Sequence, residues 1–314
     1  MRALFGTFLI AAFMAAIPAA AETLRFPSAT APPSPLRQRL AQEQGQPIAA
    51  QPSVELTGEL YRPVGDGPFP AVVQLHGCGG RAPLERENAA GARMVALGYA
   101  LLIVDSFGPR GVKERCGDNF WTDPVDRVTD AYGALAWLAG QPFIDPEHVA
   151  LLGYSQGALV ALSAVSSGGE EALYDRHFRA AIAYYPACYA FSGTISVPTL
   201  IQIGDLDDWT PAAPCQKMMA QRNGDGAPLR LVVYPGAYHA FNAASLRDKP
   251  RSYSGHHLEY NEAADRAALP KRSPHCVRRS GGSSPSPPAA AHTSVCGGTV
   301  RRRRAGHVTG PTPA

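Results

Sequence analysis

A serine stands on a glycine-framed turn at the end of one apolar run of the chain. The segment 149–157 reads VALLGYSQG, a G-x-S-x-G pattern centred on Ser155. The apolar residues before the pattern predict a strand, and the run Ala158–Val165 after it predicts a helix. A sharp strand-to-helix turn exposes the serine hydroxyl above the sheet and needs glycine neighbours, because side chains would crowd it. We therefore expect Ser155 to be a nucleophile, although the pattern also fits an ordinary solvated turn.

Two later strand ends carry the residue types that would activate this serine. The predicted strand Thr199–Ile203 leads into an acidic loop, GDLDDWTP, and the next predicted strand leads into His239. A serine hydroxyl becomes a useful nucleophile when a base takes its proton, and a carboxylate fixes the tautomer of an imidazole base. Carboxyl ends of parallel strands share one edge of a sheet, so we expect Ser155, His239 and a loop aspartate to meet there. Both Asp207 and Asp208 are candidates at this point, and each of these residues alone also fits an ordinary loop position.

A glycine-rich loop follows an earlier predicted strand, Ala71–Leu75. It reads HGCGG over residues 76–80. Small residues allow backbone N–H groups to approach a developing oxyanion closely. We predict that the backbone amides of Cys78 and Gln156 form an oxyanion hole, and that the side chain of His76 orients the loop rather than reacting.

Short apolar runs and helical segments alternate along the middle of the chain. The runs are continuous, as expected for strands buried on both faces of a parallel sheet. They are Ala71–Leu75, Tyr99–Val104, Val149–Leu152, Ala180–Tyr185, Thr199–Ile203 and Leu229–Tyr234. The segment Val125–Leu138 has apolar residues at helical spacing, whereas Val54–Tyr61 alternates as a half-buried edge strand should. The pattern predicts an α/β fold with a mostly parallel central sheet and helices on both faces.

The two ends of the chain differ in composition from its middle. Residues 1–21 hold an apolar stretch and an A-x-A site, which predicts a secretory signal peptide, with an uncleaved membrane anchor as the alternative. Residues 22–53 are rich in Pro, Gln and Ala and predict a linker, whereas residues 54–269 form the predicted folded domain. Residues 270–314 contain no acidic residue and predict a disordered basic tail rich in Pro, Ser and Arg. The tail is either a genuine extension or the product of a reading-frame shift.

The charge of the chain gives no reason to expect a nucleic-acid partner. The net charge is +3, but the tail from residue 270 onward carries +8, so the remainder is mildly acidic. No Cys/His cluster has the spacing of a metal site, and we expect neither a metal nor a cofactor. After signal cleavage the mature chain should have no stable membrane anchor and should be periplasmic or secreted.

Export would place the cysteines of the chain in an oxidising compartment. Four of the six lie in the predicted domain, and four cysteines allow three pairings. Cys78 and Cys116 both follow early predicted strands at the active-site edge, and Cys188 and Cys215 follow later neighbouring strands. We therefore predict the disulfides Cys78–Cys116 and Cys188–Cys215.

Taken together, these motifs resemble the dienelactone hydrolase family of the α/β-hydrolase superfamily. The matching pieces are PFPAVVQLHGCGG, GYSQG, the G-x-x-D-x-x-x-P of Gly204–Pro211, and GAYHAF. The resemblance implies an α/β-hydrolase fold and places the triad on Ser155, Asp207 and His239. Dienelactone-cleaving members carry a cysteine nucleophile and a glutamate in the oxyanion loop. This chain has neither, which favours ester or lactone hydrolysis by a serine through an acyl-enzyme.

Substrate selectivity is harder to read than reaction type. Four aromatic residues near the motifs are candidate walls of a pocket for a small ester or lactone, namely Tyr154, Trp209, Tyr238 and Trp121. Ordinary core packing would explain the same residues. The preferred expectation is an exported serine hydrolase of the carboxylic ester hydrolase class. A peptidase on the same fold and a non-catalytic binding protein that keeps the fold are the two alternatives.

Overall fold

The structure is a computed structural model, and it describes most of the middle of the chain. The described residues are 21–30, 39, 41–45, 52–117, 127–189 and 191–269. The predicted signal peptide up to residue 20, the predicted tail, much of the predicted linker and Trp121 lie outside them. Among the described residues, no helix combines the length and the apolarity needed to cross a bilayer.

Eight strands form one sheet in the order β1-β2-β4-β3-β5-β6-β7-β8. Their bounds are β1 Glu22–Pro27, β2 Glu55–Tyr61, β3 Phe69–Leu75, β4 Ala100–Asp105, β5 Ile144–Tyr154, β6 Ala180–Tyr184, β7 Thr199–Gly204 and β8 Leu229–Tyr234. The first two strands are antiparallel to their neighbours, and every pair from β4 to β8 is parallel. The predicted α/β fold with a mostly parallel sheet is therefore confirmed, and the six continuous apolar runs are the six parallel strands.

The helices connect these strands and cover the sheet. Their bounds are α1 Leu84–Ala96, α2 Arg127–Ala139, α3 Gln156–Ala164, α4 Ala212–Gln221 and α5 Glu262–Ala268. The helix α2 packs on β1, β3 and β5, and α3 packs on β5 and β6. The apolar positions of the predicted helix are buried in α2, namely Val128, Ala131, Leu135 and Leu138. Ten of the thirteen residues of α2 are buried, so packing on the sheet and its neighbours stabilises this helix.

The predicted linker is wrong in its first six residues. They form β1, which pairs with β2 from Glu22 opposite Leu60 to Pro27 opposite Glu55. Leu24 and Phe26 are buried in the main core, so the folded domain includes residues 22–27 as well as those from residue 54 onward. As a consequence β2 is not the edge strand that its alternating pattern predicted, because β1 occupies the edge.

A small hairpin and two disulfides complete the active-site edge. The hairpin strands are β9 Arg251–Tyr253 and β10 His256–Leu258, and β10 touches the sheet loops through a bridge between Leu258 and His239. Both predicted disulfides form. Cys78–Cys116 joins the loops after β3 and β4, and Cys188–Cys215 joins the loop after β6 to α4.

Candidate active site

Ser155 occupies a strained turn between β5 and α3. Its φ of 53° and ψ of −119° lie in a region that residues with side chains rarely adopt. The turn closes this tightly because its flanking residues are glycines. A Cβ atom at Gly153 would overlap the Gly157 carbonyl oxygen, and one at Gly157 would overlap the carbonyl oxygens of Leu75 and His76. The nucleophile candidate therefore sits at the amino end of a helix with its backbone geometry fixed from both sides.

The structure brings Ser155, Asp207 and His239 together. The His239 Nε2 lies 3.0 Å from Ser155 Oγ, and the His239 Nδ1 lies 2.8 Å from Asp207 Oδ2. All three residues are buried. At these distances the Ser155 hydroxyl can donate a hydrogen bond to Nε2 while Nδ1–H donates one to the carboxylate, which is the arrangement of a serine–imidazole–carboxylate triad.

The two aspartates of the acidic loop have different surroundings. Asp207 Oδ1 accepts the backbone N–H groups of Trp209 and Thr210 at 3.0 and 2.8 Å, which holds the carboxylate in place. The Thr210 hydroxyl donates to the Tyr185 carbonyl at 3.0 Å and lies beside Oδ2 as well. Asp208 instead points to the surface and accepts the backbone N–H of His257 at 3.2 Å. The geometry thus selects Asp207 as the partner of the imidazole.

The loop that carries His239 is packed directly against the acidic loop. A Cβ atom at Gly204 would overlap the Ala237 carbonyl oxygen, so the two strand ends meet without a side chain between them. The rings of Tyr185 and Trp209 flank the imidazole at centroid distances of 4.6 and 5.0 Å. This packing restricts the imidazole to the orientation in which both of its nitrogens are used.

The glycine-rich loop after β3 lies against the nucleophile. A Cβ atom at Gly77 would come within 3.4 Å of Ser155 Cβ. Cys78 is the next residue, its carbonyl accepts the Arg115 N–H at 2.7 Å, and its side chain is disulfide-bonded. Gln156 is the first residue of α3, on the other side of Ser155. Both residues predicted to supply oxyanion-hole amides therefore flank the nucleophile.

His76 holds this loop from its buried side. Its Nδ1–H donates to the Gly77 carbonyl at 2.7 Å, and its Nε2 accepts the Ser106 N–H at 3.2 Å. Together the two bonds require the neutral Nδ1–H tautomer. Burial, and next the nearby charge of Arg127, lower the pKa of His76 well below its ordinary value, so the ring stays neutral. The placement agrees with a side chain that orients the loop.

Sequence reasoning missed Arg127, the first residue of α2. Its guanidinium is buried and donates to Gln156 Oε1 at 3.1 Å and to the His76 carbonyl at 2.7 Å. Its Cζ lies 5.0 Å from the centroid of the Phe107 ring. Its position in the first turn of the predicted helix Val125–Leu138 does not distinguish it from a solvated side chain.

The four predicted pocket aromatics have different surroundings. Trp209 lies against His239, as described above. The ring of Tyr154 packs instead on Tyr184, at a centroid distance of 5.1 Å, and belongs to the main core. Tyr238 packs on His257, at 4.3 Å. Trp121 lies outside the described residues.

A small apolar cluster separate from the main core includes Trp209. Its members are Cys78, Cys116, Leu159, Ala187 and Trp209. The loop that carries Cys116 also contributes Glu114, whose carboxylate accepts a hydrogen bond from the Tyr253 hydroxyl of β9. The disulfide loop and the hairpin are therefore linked next to the candidate active site. No set of three or more His, Cys, Asp or Glu side chains within the described residues is arranged to hold a metal ion.

Comparison with known proteins identifies the relatives of this chain. A model of the dienelactone hydrolase family matches residues 56–272. An uncharacterized protein of Mycobacterium tuberculosis strain H37Rv is 27% identical over 210 residues, which are 61% of this chain and 70% of that protein. A second uncharacterized protein, from M. tuberculosis strain CDC 1551, matches with the same identity and coverage.

Solved structures with a similar fold include three hydrolases. A dienelactone hydrolase-like promiscuous phosphotriesterase from metagenomic libraries has a TM-score of 0.57 and 17% identity, over 79% of this chain and 94% of that one. An esterase of Pyrococcus furiosus has a TM-score of 0.51 and 16% identity, over 72% and 87%. Esterase 2 of Thermogutta terrifontis, phosphorylated by paraoxon, has a TM-score of 0.50 and 16% identity, over 68% and 85%. At these identities the likeness shows a common fold.

Proposed function

Because this chain belongs to the dienelactone hydrolase family, we propose that it is a serine hydrolase that cleaves small carboxylic esters or lactones through an acyl-enzyme. The observation that carries the proposal is the hydrogen-bonded series from Ser155 Oγ through the two nitrogens of His239 to Asp207 Oδ2, at 3.0 and 2.8 Å. Family membership supports hydrolysis in general, and the identity of the nucleophile supports the serine mechanism.

In the proposed reaction His239 acts first as a base and then as an acid. Its Nε2 takes the proton of the Ser155 hydroxyl as Oγ attacks the substrate carbonyl carbon. The same proton then passes to the leaving alkoxide as the C–O bond breaks, which leaves Ser155 acylated. A water molecule repeats the sequence and releases the acid. Asp207 keeps the other imidazole proton on Nδ1 and stabilises the positive charge that forms on the ring.

The negative charge on the carbonyl oxygen needs donors, and the amides of Gln156 and Cys78 are proposed to supply them. Both residues flank Ser155, and the Gln156 amide lies at the open amino end of α3, where helix N–H groups favour negative charge. Gly77 lies directly against the nucleophile, because a Cβ atom there would be 3.4 Å from Ser155 Cβ. Fixed donors of this kind commonly make the largest contribution to the rate of acyl transfer.

The chemistry of two structural relatives suggests a probe for this serine. One is described as phosphorylated by paraoxon and another as a promiscuous phosphotriesterase. An activated serine attacks phosphorus much as it attacks a carbonyl carbon. A fluorophosphonate should therefore label Ser155. The segment Leu75–Gly80 contains no acidic residue, so dienelactone itself is not the proposed substrate.

We also propose that the protein is exported and that the chain is cleaved after Ala21. Cleavage there leaves β1, which begins at Glu22, intact as the first element of the mature protein. The two disulfides fit an oxidising compartment such as the periplasm or the medium. The segment from residue 270 is proposed to take no part in catalysis.

A substrate panel on purified protein tests the proposed function. The wild type should hydrolyse p-nitrophenyl acetate and butyrate far faster than matched peptide p-nitroanilides. Ser155→Ala should lose this activity, whereas Ser167→Ala, which alters an exposed loop serine, should keep it. Faster cleavage of the anilides would favour a peptidase. Absence of turnover on every substrate, with no labelling by fluorophosphonate, would favour a binding protein.

A further inference from the structure

Arg127 lies behind the proposed oxyanion hole and contacts both of its backbone segments. Only 2% of its surface is exposed. One end of the guanidinium donates to the side chain of Gln156, whose own amide is one proposed donor. The other end donates to the carbonyl of His76, two residues before Cys78, whose amide is the second. Because a guanidinium is planar and rigid, it sets the distance between the two groups it binds.

The two segments touch each other without intervening side chains. The carbonyl oxygens of Leu75 and His76 lie where a Cβ atom of Gly157 would be, and a Cβ atom at Gly77 would lie 3.4 Å from Ser155 Cβ, in van der Waals contact. A shift of either segment would therefore move the other, and with it the donors on both sides of the serine. An arginine that bridges them holds this arrangement.

The orientation of the Cys78 amide depends on the same contacts. The Gly77 carbonyl and the Cys78 N–H belong to one rigid peptide plane. The bond from His76 Nδ1–H to that carbonyl therefore fixes the direction in which the Cys78 N–H points. Arg127 supports this bond by holding the His76 carbonyl. Its charge also opposes protonation of the ring and so lowers the pKa of His76.

We propose that Arg127 is a positioning residue for the oxyanion hole. It holds the amides of Gln156 and Cys78 in the arrangement that the tetrahedral intermediate requires, and its buried positive charge favours the negative charge that develops on the carbonyl oxygen. Charges act strongly over short distances in a water-excluded interior. The inference rests on the proposed serine-hydrolase function and adds a residue outside the triad to it.

Arg127→Met and Arg127→Lys test this role, with Arg222→Met as the matched control. Arg222 also joins backbone carbonyls of two segments, donating to Gly193 at 2.8 Å and to Asp225 and Ala227 at 2.8 and 2.6 Å. These carbonyls lie before the amino ends of β7 and β8, whereas Ser155 follows the carboxyl end of β5. For each variant we would measure kcat and KM on p-nitrophenyl acetate, the inhibition constant of phenylboronic acid, and the melting temperature. Exhaustive fluorophosphonate labelling would count the active sites.

Arg127→Met should lower kcat per active site about 10²-fold, near the lower bound for loss of one oxyanion-hole donor, while KM changes less than about threefold. Affinity for phenylboronic acid should fall in parallel, because its tetrahedral adduct on the serine uses the same donors. Arg127→Lys keeps the charge without the two-pronged contact, so its kcat per active site should lie between those of the wild type and Arg127→Met. Arg222→Met should lower the melting temperature and leave kcat per active site unchanged.

Three results would overturn the inference. One is an unchanged kcat per active site in Arg127→Met, and another is a loss confined to KM. A third is a loss of kcat without any loss of boronate affinity. If Arg127→Met does not fold, Gln156→Ala removes one acceptor of the guanidinium and keeps the Gln156 amide, and it should show a smaller parallel loss. A wild type that neither hydrolyses esters nor reacts with fluorophosphonate would instead overturn the proposed function itself.

Discussion

Replacing Asp207 by Asn would change the protonation of His239 with little change of shape. The native carboxylate receives Nδ1–H on Oδ2 and two backbone N–H groups on Oδ1. An asparagine that keeps its oxygen on the two backbone amides must turn its NH₂ group toward Nδ1 of the imidazole. The ring then carries its proton on Nε2, which faces Ser155 Oγ, and it can no longer take the hydroxyl proton.

The expected effect of this wrong tautomer is large. The corresponding change in a serine-protease triad lowers kcat about 10⁴-fold with the geometry intact, and we expect a similar loss here. Such a loss corresponds to about 5.5 kcal/mol in the activation free energy. Nothing similar is expected at Asp208, because 48% of its side chain is exposed and its partners are His256 and the backbone N–H of His257 rather than His239.

The assay is kcat for p-nitrophenyl acetate in Asp207→Asn, Asp208→Asn and the wild type, corrected for the active-site count. Asp208→Asn serves as the matched control and should stay within about threefold of the wild type. Circular dichroism would establish that both variants are folded. A value of kcat for Asp207→Asn above a tenth of the wild-type value, or equal losses in the two variants, would refute the tautomer argument.

Three further predictions concern stability. Phe26→Ala should lower the free energy of unfolding by about 3–5 kcal/mol in a denaturant titration, because Phe26 is buried. The control Arg25→Ala, on the exposed face of β1, should lower it by less than about 1 kcal/mol. Equal small losses in the two variants would mean that β1 is not part of the core. Replacing both Cys188 and Cys215 by Ser should lower the free energy of unfolding by about 3–4 kcal/mol, because that disulfide closes a loop with a sequence separation of 27. The disulfide is taken to be purely structural, so a change in kcat per active site would contradict this prediction. Folding lowers the pKa of His76, so as the pH drops the unfolded chain takes up the His76 proton at a higher pH than the folded protein does. The free energy of unfolding should therefore fall as the pH drops below about 6.5, by up to about 1.4 kcal/mol per pH unit. This slope should disappear in His76→Gln, and an equal slope in both proteins would contradict the assignment.

The chemistry of the site was predictable because each of its residues follows a continuous apolar run. In a parallel sheet the carboxyl ends of such strands lie at one edge, so Ser155, His239 and one aspartate of the acidic loop were expected to meet there. The choice of Asp207 over Asp208 followed from the resemblance to the dienelactone hydrolase family. The same reasoning placed the cysteines, and both disulfide pairings are confirmed. Short-range pattern and sheet geometry were sufficient for these features, apart from the choice between the two aspartates.

Features that depend on long-range contacts were not predictable in the same way. The strand β1 is six residues long, is followed by a Pro-rich stretch, and is stabilised by contacts with distant segments, namely pairing with β2 and burial of Leu24 and Phe26. Arg127 reads as a solvated residue at a helix start until its acceptors on two other loops are known. Tyr154 stands at a strand end, and the register that pairs it with Tyr184 decides that its ring packs in the core.

The most direct test of the account is the site of covalent labelling by a fluorophosphonate. After exhaustive reaction and digestion, tandem mass spectrometry should find one adduct, on Ser155, at one equivalent per folded chain. Labelling should slow by orders of magnitude in His239→Ala, because the serine then has no base. An adduct on another residue, or full ester hydrolysis in a protein whose Ser155 remains unlabelled, would contradict the proposed nucleophile.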